Sequence, residues 1–159
     1  VGHGGGGSGL LCASLHPDGL ILATGSESCA VRIWDVKSQK SVADFEGHGA
    51  AVRALAFSEN GYILASADDA GAVRLWDLRK LKTTKQLSAT AAVTDLRFDY
   101  AAQYLAVTAG DVVVHNAKAT SVVAEYLAVE ATSACFGRAA GAVYVATAQG
   151  QLLQYHSGE

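Results

Sequence analysis

Apolar and polar positions alternate along most of this chain, in short bursts separated by turns rich in glycine and acidic residues. Val52-Arg53-Ala54-Leu55-Ala56-Phe57 repeats with a period of two, the pattern of a half-buried strand. Glu59-Asn60-Gly61 then reads as a hairpin turn in which glycine supplies the positive φ. Residues 62–67 predict the next strand, 68–71 the next turn, and Val73-Arg74-Leu75-Trp76 a third strand that alternates again. After a basic loop, residues 83–87 supply a fourth. No apolar stripe at i, i+3, i+4 extends beyond one turn, so the pattern predicts an all-β protein.

The same pattern recurs. Leu15 to Val36 reads LHPDGLILATGSESCAVRIWDV, and Phe57 to Leu78 reads FSENGYILASADDAGAVRLWDL. The offset from Trp34 to Trp76 and from Gly19 to Gly61 is the same 42 residues, with no gap over 22 positions. Two weaker copies follow, FDYAAQYLAVTAGDVVVHN from Phe98 and FGRAAGAVYVATAQGQLLQYH from Phe136, with His115 and Tyr155 in place of the tryptophan. The chain therefore divides into a glycine-rich loop at 1–9 and four units at 10–46, 47–87, 88–126 and 127–159. A four-stranded unit repeated about every forty residues is the signature of a β-propeller blade.

Gly47-His48 with Trp76-Asp77 in the second unit, and Gly2-His3 with Trp34-Asp35 in the first, resemble the GH…WD pattern of the WD-repeat family. The resemblance implies a propeller of about four blades here, the C-terminal part of a ring of about seven. It also implies a structural tetrad, in which the histidine bonds a turn aspartate and a Ser or Thr links onward to the indole N–H. Its positions here are His3, Thr24, Ser28 and Trp34, and His48, Ser66, Asp69 and Trp76. Family spacing puts the aspartate four residues after the Ser or Thr, on Ser28 and Ala70, so Asp69 falls one residue early and complete tetrads are not expected. In the third and fourth units Ala89 and Leu127 stand at the histidine position.

Composition narrows the picture further. Of 159 residues, 50% are hydrophobic and 17% charged, with a net charge of −3, so the chain can bury a core and disorder is excluded. A mildly acidic balance argues against a general nucleic-acid or membrane-surface binder. Three cysteines at wide spacing do not form a disulfide framework and read as reduced, buried thiols of an intracellular protein. No apolar run approaches the roughly 20 residues a membrane helix needs. The chain has no methionine and opens at Val1, and little sequence follows the last strand, so it reads as an excerpt whose final blade lacks its outer strand.

Candidate chemistry is sparse. His48, Ser66 and Asp69 have the residue types of a hydrolase triad, but no G-x-S-x-G elbow presents a nucleophile, and the structural reading is preferred. Gly4 to Gly9 formally contains G-x-G-x-x-G, yet a strand rather than a helix follows, so no anion site is implied. There is no GK[ST] and no C-x-x-C, and the five histidines are scattered. Asp68-Asp69 reads as a turn. No catalytic, cofactor or metal residue is expected. Arg79, Lys80, Lys82 and Lys85 form the one basic cluster, which can meet RNA phosphate or an acidic partner, or be a solvated loop. With Arg53, these are the candidate partner contacts.

Leu15-His16-Pro17-Asp18-Gly19-Leu20-Ile21, Phe57-Ser58-Glu59-Asn60-Gly61-Tyr62 and Leu75-Trp76-Asp77-Leu78-Arg79-Lys80-Leu81-Lys82 narrow the resemblance to the C-terminal propeller of the pre-mRNA-processing factor 19 family. That family is a nuclear U-box ubiquitin ligase and spliceosome scaffold, which self-associates through a coiled coil. The resemblance implies docking of splicing proteins and ubiquitination substrates, RNA only indirectly, and no membrane. Neither the U-box nor the coiled coil lies in these residues, so no catalytic residue is carried over. Trp76-Asp77-Leu78-Arg79 also fits the W-D-x-R pattern of substrate receptors for cullin-4 ligases, an alternative among WD-repeat adaptors.

Overall fold

A computed structural model describes residues 9–156. The first unit forms β1 (Leu10–Leu15), β2 (Ile21–Ser26), β3 (Val31–Asp35) and β4 (Lys40–Phe45). The second forms β5 (Val52–Phe57), β6 (Ile63–Asp68), β7 (Ala72–Asp77) and β8 (Lys82–Ser88). Each set is a four-stranded antiparallel meander in chain order. The two registers match, Leu22 facing Trp34 and Leu64 facing Trp76, so the 42-residue repeat is a repeat of pairing as well as of sequence. Each is the four-stranded meander of a propeller blade.

Turns follow from particular side chains. Gly19 and Gly61 take φ of +74° and +72° between the first and second strands. Asp35, Asp77 and Asn116 each accept backbone N–H bonds two or three residues ahead, at Ser38, at Arg79 and Lys80, and at Lys118 and Ala119. A short acceptor at the end of the third strand thus builds the next turn. The aspartate of the Trp-Asp pair is a turn builder.

The rest of the chain departs from this regularity. β9 (Asp95–Phe98), β10 (Tyr104–Asn116), β11 (Val122–Phe136), β12 (Ala142–Thr147) and β13 (Leu152–His156) form one five-stranded sheet, so the third and fourth units share it. Where the second unit turns at Asp68–Gly71, the third has only Gly110-Asp111, and the chain runs straight on as one long strand. Gly110 at φ +82° and Glu130 at φ +46° lie beside the ladder shift that follows the Gly110–Ala131 pair. The expected boundary at 126/127 falls inside β11.

Apolar side chains pack between consecutive sheets. Val31, Ile33 and Phe45 meet Val52, Leu64 and Trp76 from the second sheet. Ala54, Leu75 and neighbours meet Val93, Leu96 and Leu105 from the third. Phe45 stacks on Trp76 with ring centroids 4.7 Å apart. Sealing the faces between sheets is what a chain of short, individually unstable sheets needs.

Candidate functional site

Histidine, serine, tryptophan and aspartate come together in the second unit as a closed hydrogen-bond chain. The loop before β5 delivers His48, whose Nδ1 lies 2.8 Å from Asp68 Oδ2 and whose Nε2 lies 2.6 Å from Ser66 Oγ. Trp76 Nε1 donates to the same Oγ at 2.8 Å. Asp68 Oδ1 accepts from the backbone N–H groups of Ala70 and Ala72, fixing the turn into β7. Ser66 and Asp68 are 0% exposed and Trp76 2%. A fully satisfied buried network locks geometry, whereas a partly satisfied one costs stability.

Asp69 does not join this chain, a correction to the sequence expectation. Strand period two puts Ser66 and Asp68 on one face of β6, and the residue after Asp68 leaves that face. Asp69 instead accepts two bonds from Arg53 Nε, at 2.9 and 3.0 Å, in an exposed pair. The second tetrad is therefore complete, contrary to the spacing argument, because the turn aspartate can sit two residues after the serine. That alternation was the signal available in the sequence.

The first unit has the same indole link. Trp34 Nε1 donates to Thr24 Oγ1 at 2.8 Å. At the position of Asp68 stands Ser26, whose hydroxyl pairs with Ser28 Oγ and donates to the Ala30 carbonyl. His3 lies outside the described residues. In the third unit Val107, opposite Leu96 as Ser66 is opposite Leu55, stands at the Ser66 position, and His115 at the Trp76 position.

Chemically this tetrad is inert. Burial lowers the proton affinity of His48 below the ordinary histidine range, opposed by the Asp68 carboxylate. Ser66 Oγ is sealed inside the blade, so no substrate reaches it. Cys12, burying its thiol against the Val52 carbonyl, is pushed up to about 11, far from a reactive thiolate. No group of three His, Cys, Asp or Glu side chains among the described residues is placed to hold a metal. No helix of the described chain is long and apolar enough to cross a membrane.

The basic cluster divides. Arg79 folds back on Asp77 with 3.0 Å between Nη2 and Oδ2, and lies 4.6 Å over the Tyr62 ring, a contact the sequence did not announce. The arginine holds the Asp77 carboxyl below its usual range. Lys80 and Lys82 are exposed, and Lys85 is half-buried on β8 opposite Leu75. Arg53 sits elsewhere, in a groove lined by the first strands of three successive units with Cys12, Ser14, Thr94, Asp95 and Arg97. The five candidate contacts thus belong to two separate surfaces.

Comparison with known sequences agrees with this geometry. Residues 1–35 and 39–77 match the family described as WD domain, G-beta repeat. Pre-mRNA-processing factor 19 homolog 2 of Arabidopsis thaliana is 46% identical over 114 residues, 72% of this chain and 21% of that protein. Pre-mRNA-processing factor 19 of Homo sapiens is 50% identical over 114 residues, 70% of this chain and 23% of that protein. The Oryza sativa subsp. japonica protein of that name is 55% identical over 58 residues, 36% and 11% of the two chains. The chain thus spans less than a quarter of the length of the curated relatives it matches. By sequence and by the paired registers and hydrogen-bonded tetrad described above, residues 1–35 and 39–77 carry WD repeats.

Proposed function

We propose that this chain is the partner-docking propeller of a splicing-associated scaffold, working within a longer protein that resembles a U-box ubiquitin ligase. Identity of 46–50% over 114 residues to proteins named pre-mRNA-processing factor 19 is the observation that carries this reading. Its geometry is consistent with docking: the polar groups at the blade centre are used up in the tetrad, and what remains for partners is loops and strand edges. A ring of about seven blades, a nuclear location, and splicing proteins and ubiquitination substrates as partners belong to the same proposal. So does self-association of the whole protein through a coiled coil.

Tagged full-length protein recovered from nuclear extract should bring down splicing proteins and spliceosomal small RNAs. Recovery without either overturns the reading. The cullin-4 receptor alternative leans on Arg79, whose guanidinium is tied to Asp77 and Tyr62 and so has a structural duty of its own. Loss of cullin-adaptor binding on Arg79→Ala would favour that alternative. Unchanged or absent binding removes it.

A further inference from the structure

All six lysines of the chain stand in or beside three turns. Lys37 and Lys40 follow β3, Lys80, Lys82 and Lys85 follow β7, and Lys118 follows β10. Residues 35–40, 77–82 and 116–118 carry six cations against two carboxylates, a net +4 in a chain of net −3. The acidic total hides this sorting of charge.

These turns share one end of the sheets. A meander puts the turns after its first and third strands at the same end. Backbone bonds join them, from Val36 N–H to the Leu20 carbonyl, Leu78 N–H to that of Tyr62 and Ala117 N–H to that of Gln103. The three units are aligned, because the last residues of β1, β5 and β9 (Leu15, Phe57 and Phe98) line one hollow. His16 Nε2 also lies 3.0 Å from the Gly61 carbonyl oxygen, tying the first unit's turn to the second's.

The arginines are engaged internally. Arg32, Arg53, Arg79 and Arg97 each pair with an aspartate, and Arg74 donates to the Gly47 carbonyl. The lysines are not. No lysine ammonium has an ion-pair or hydrogen-bond partner among the described residues, and all but Lys85 are exposed. At the same turns Asp77 is held by Arg79, Asp35 accepts the Ser38 N–H, and Asn116 does the third turn's accepting without a charge. Asp18, beside His16, and Glu59 belong to the turns after the first strands, away from the outer strands that the lysine turns lead into.

Two aromatic rings stand at this end as well. Tyr62 is 51% exposed, with Arg79 over its ring, and Tyr100, in the turn between β9 and β10, is 83% exposed. Unpaired cations beside exposed rings meet the two needs of an unpaired strand, charge for its phosphates and π-faces for its bases. An acidic protein segment would use the lysines and leave the rings idle.

We propose that this end of the three units binds single-stranded nucleic acid. Lys37, Lys40, Lys80, Lys82 and Lys118 meet phosphates, and bases stack on Tyr100 and on the Arg79–Tyr62 pair. This surface does not depend on the splicing reading, because a bare oligonucleotide tests it without any splicing protein.

The probe is fluorescein-labelled dodecauridylate, titrated into the full-length protein and followed by anisotropy between about 50 and 200 mM salt. Saturable binding is expected, and log K should fall with log salt at a slope of about −3.5 for five lysine–phosphate contacts. Lys37→Gln with Lys40→Gln should make that slope shallower by about 1.4. Tyr100→Ala should weaken binding about tenfold, the loss of one stacked base, with the circular dichroism spectrum unchanged. Polyglutamate of matched length should not displace the RNA at equal concentration. No binding at the lowest salt overturns the proposal, as does a slope that the lysine variant leaves unchanged. Displacement by polyglutamate, or a Tyr100→Ala variant that binds as tightly as the parent, overturns it in favour of an acidic protein partner.

Discussion

His48 Nδ1 stands 2.8 Å from Asp68 Oδ2, with the two side chains 0% and 1% exposed. The pair joins the loop before β5 to the end of β6, and Ser66 carries it on to Trp76. Asp68→Ala strips acceptors from the His48 ring and from two backbone N–H groups at once. It should cost about 3–5 kcal/mol in chemical denaturation, the range for breaking a buried pair. Asp69→Ala, which loses only an exposed partner of Arg53, should stay within about 1 kcal/mol. Equal effects would contradict the assignment of Asp68 over Asp69.

Acid should weaken the fold through its histidines. Burial lowers the proton affinity of both His48 and His115, so in the unfolded chain they protonate first. Between the unfolded value near 6.5 and the lower folded values, the unfolded state binds more protons, and stability rises with pH across that window. The stabilisation is whole above about pH 6.5 and is lost as pH falls toward the folded values. Denaturant midpoints measured at pH 7.5 and pH 5.5 check it, and His48→Gln should flatten part of the slope.

Trp76 and Trp34 share a motif but not an environment. Trp76 is 2% exposed and stacked on Phe45, whereas Trp34 is only half-buried. Trp76→Ala should cost about 3–5 kcal/mol, the usual toll for a buried aromatic. Trp34→Ala should cost clearly less. Thermal melts of the two variants decide it.

Gly71 and Gly19 both have positive φ, +85° and +74°, yet only one is crowded. A Cβ on Gly71 would lie 2.8 Å from the Ala89 carbonyl oxygen and 2.9 Å from that of Ala91, backbone that cannot swing away. Gly19 has open space. Gly19→Ala should cost about 1–2 kcal/mol, the left-handed backbone penalty alone. Gly71→Ala should exceed it by the added clash, and equilibrium denaturation measures the difference.

Lys80→Glu with Lys82→Glu should leave stability within about 0.5 kcal/mol, as for exposed sites, while weakening capture of splicing partners. A large stability loss would make the lysines structural.

Much of this protein could be read without coordinates. Strand period, the 42-residue repeat and the turn acceptors are local properties, set by near neighbours along the chain. They marked the first two units as equivalent, and the resemblance to WD repeats grouped His48, Ser66 and Trp76 as one network. Which aspartate closes that network depends on the face of β6 it occupies, which is a matter of register. The Arg79–Tyr62 contact joins residues on different strands, and no local pattern announces it.

The sequence by itself determined the all-β class, the repeat and the residue types at each blade's centre. Tertiary structure decided which of those residues meet. It placed Asp68, not Asp69, on His48, and ran the third and fourth units into one sheet where a four-residue turn is missing. The physical reason is range. Alternation and turn chemistry act over a few residues, whereas hydrogen-bond closure and packing between sheets join residues some twenty to forty positions apart.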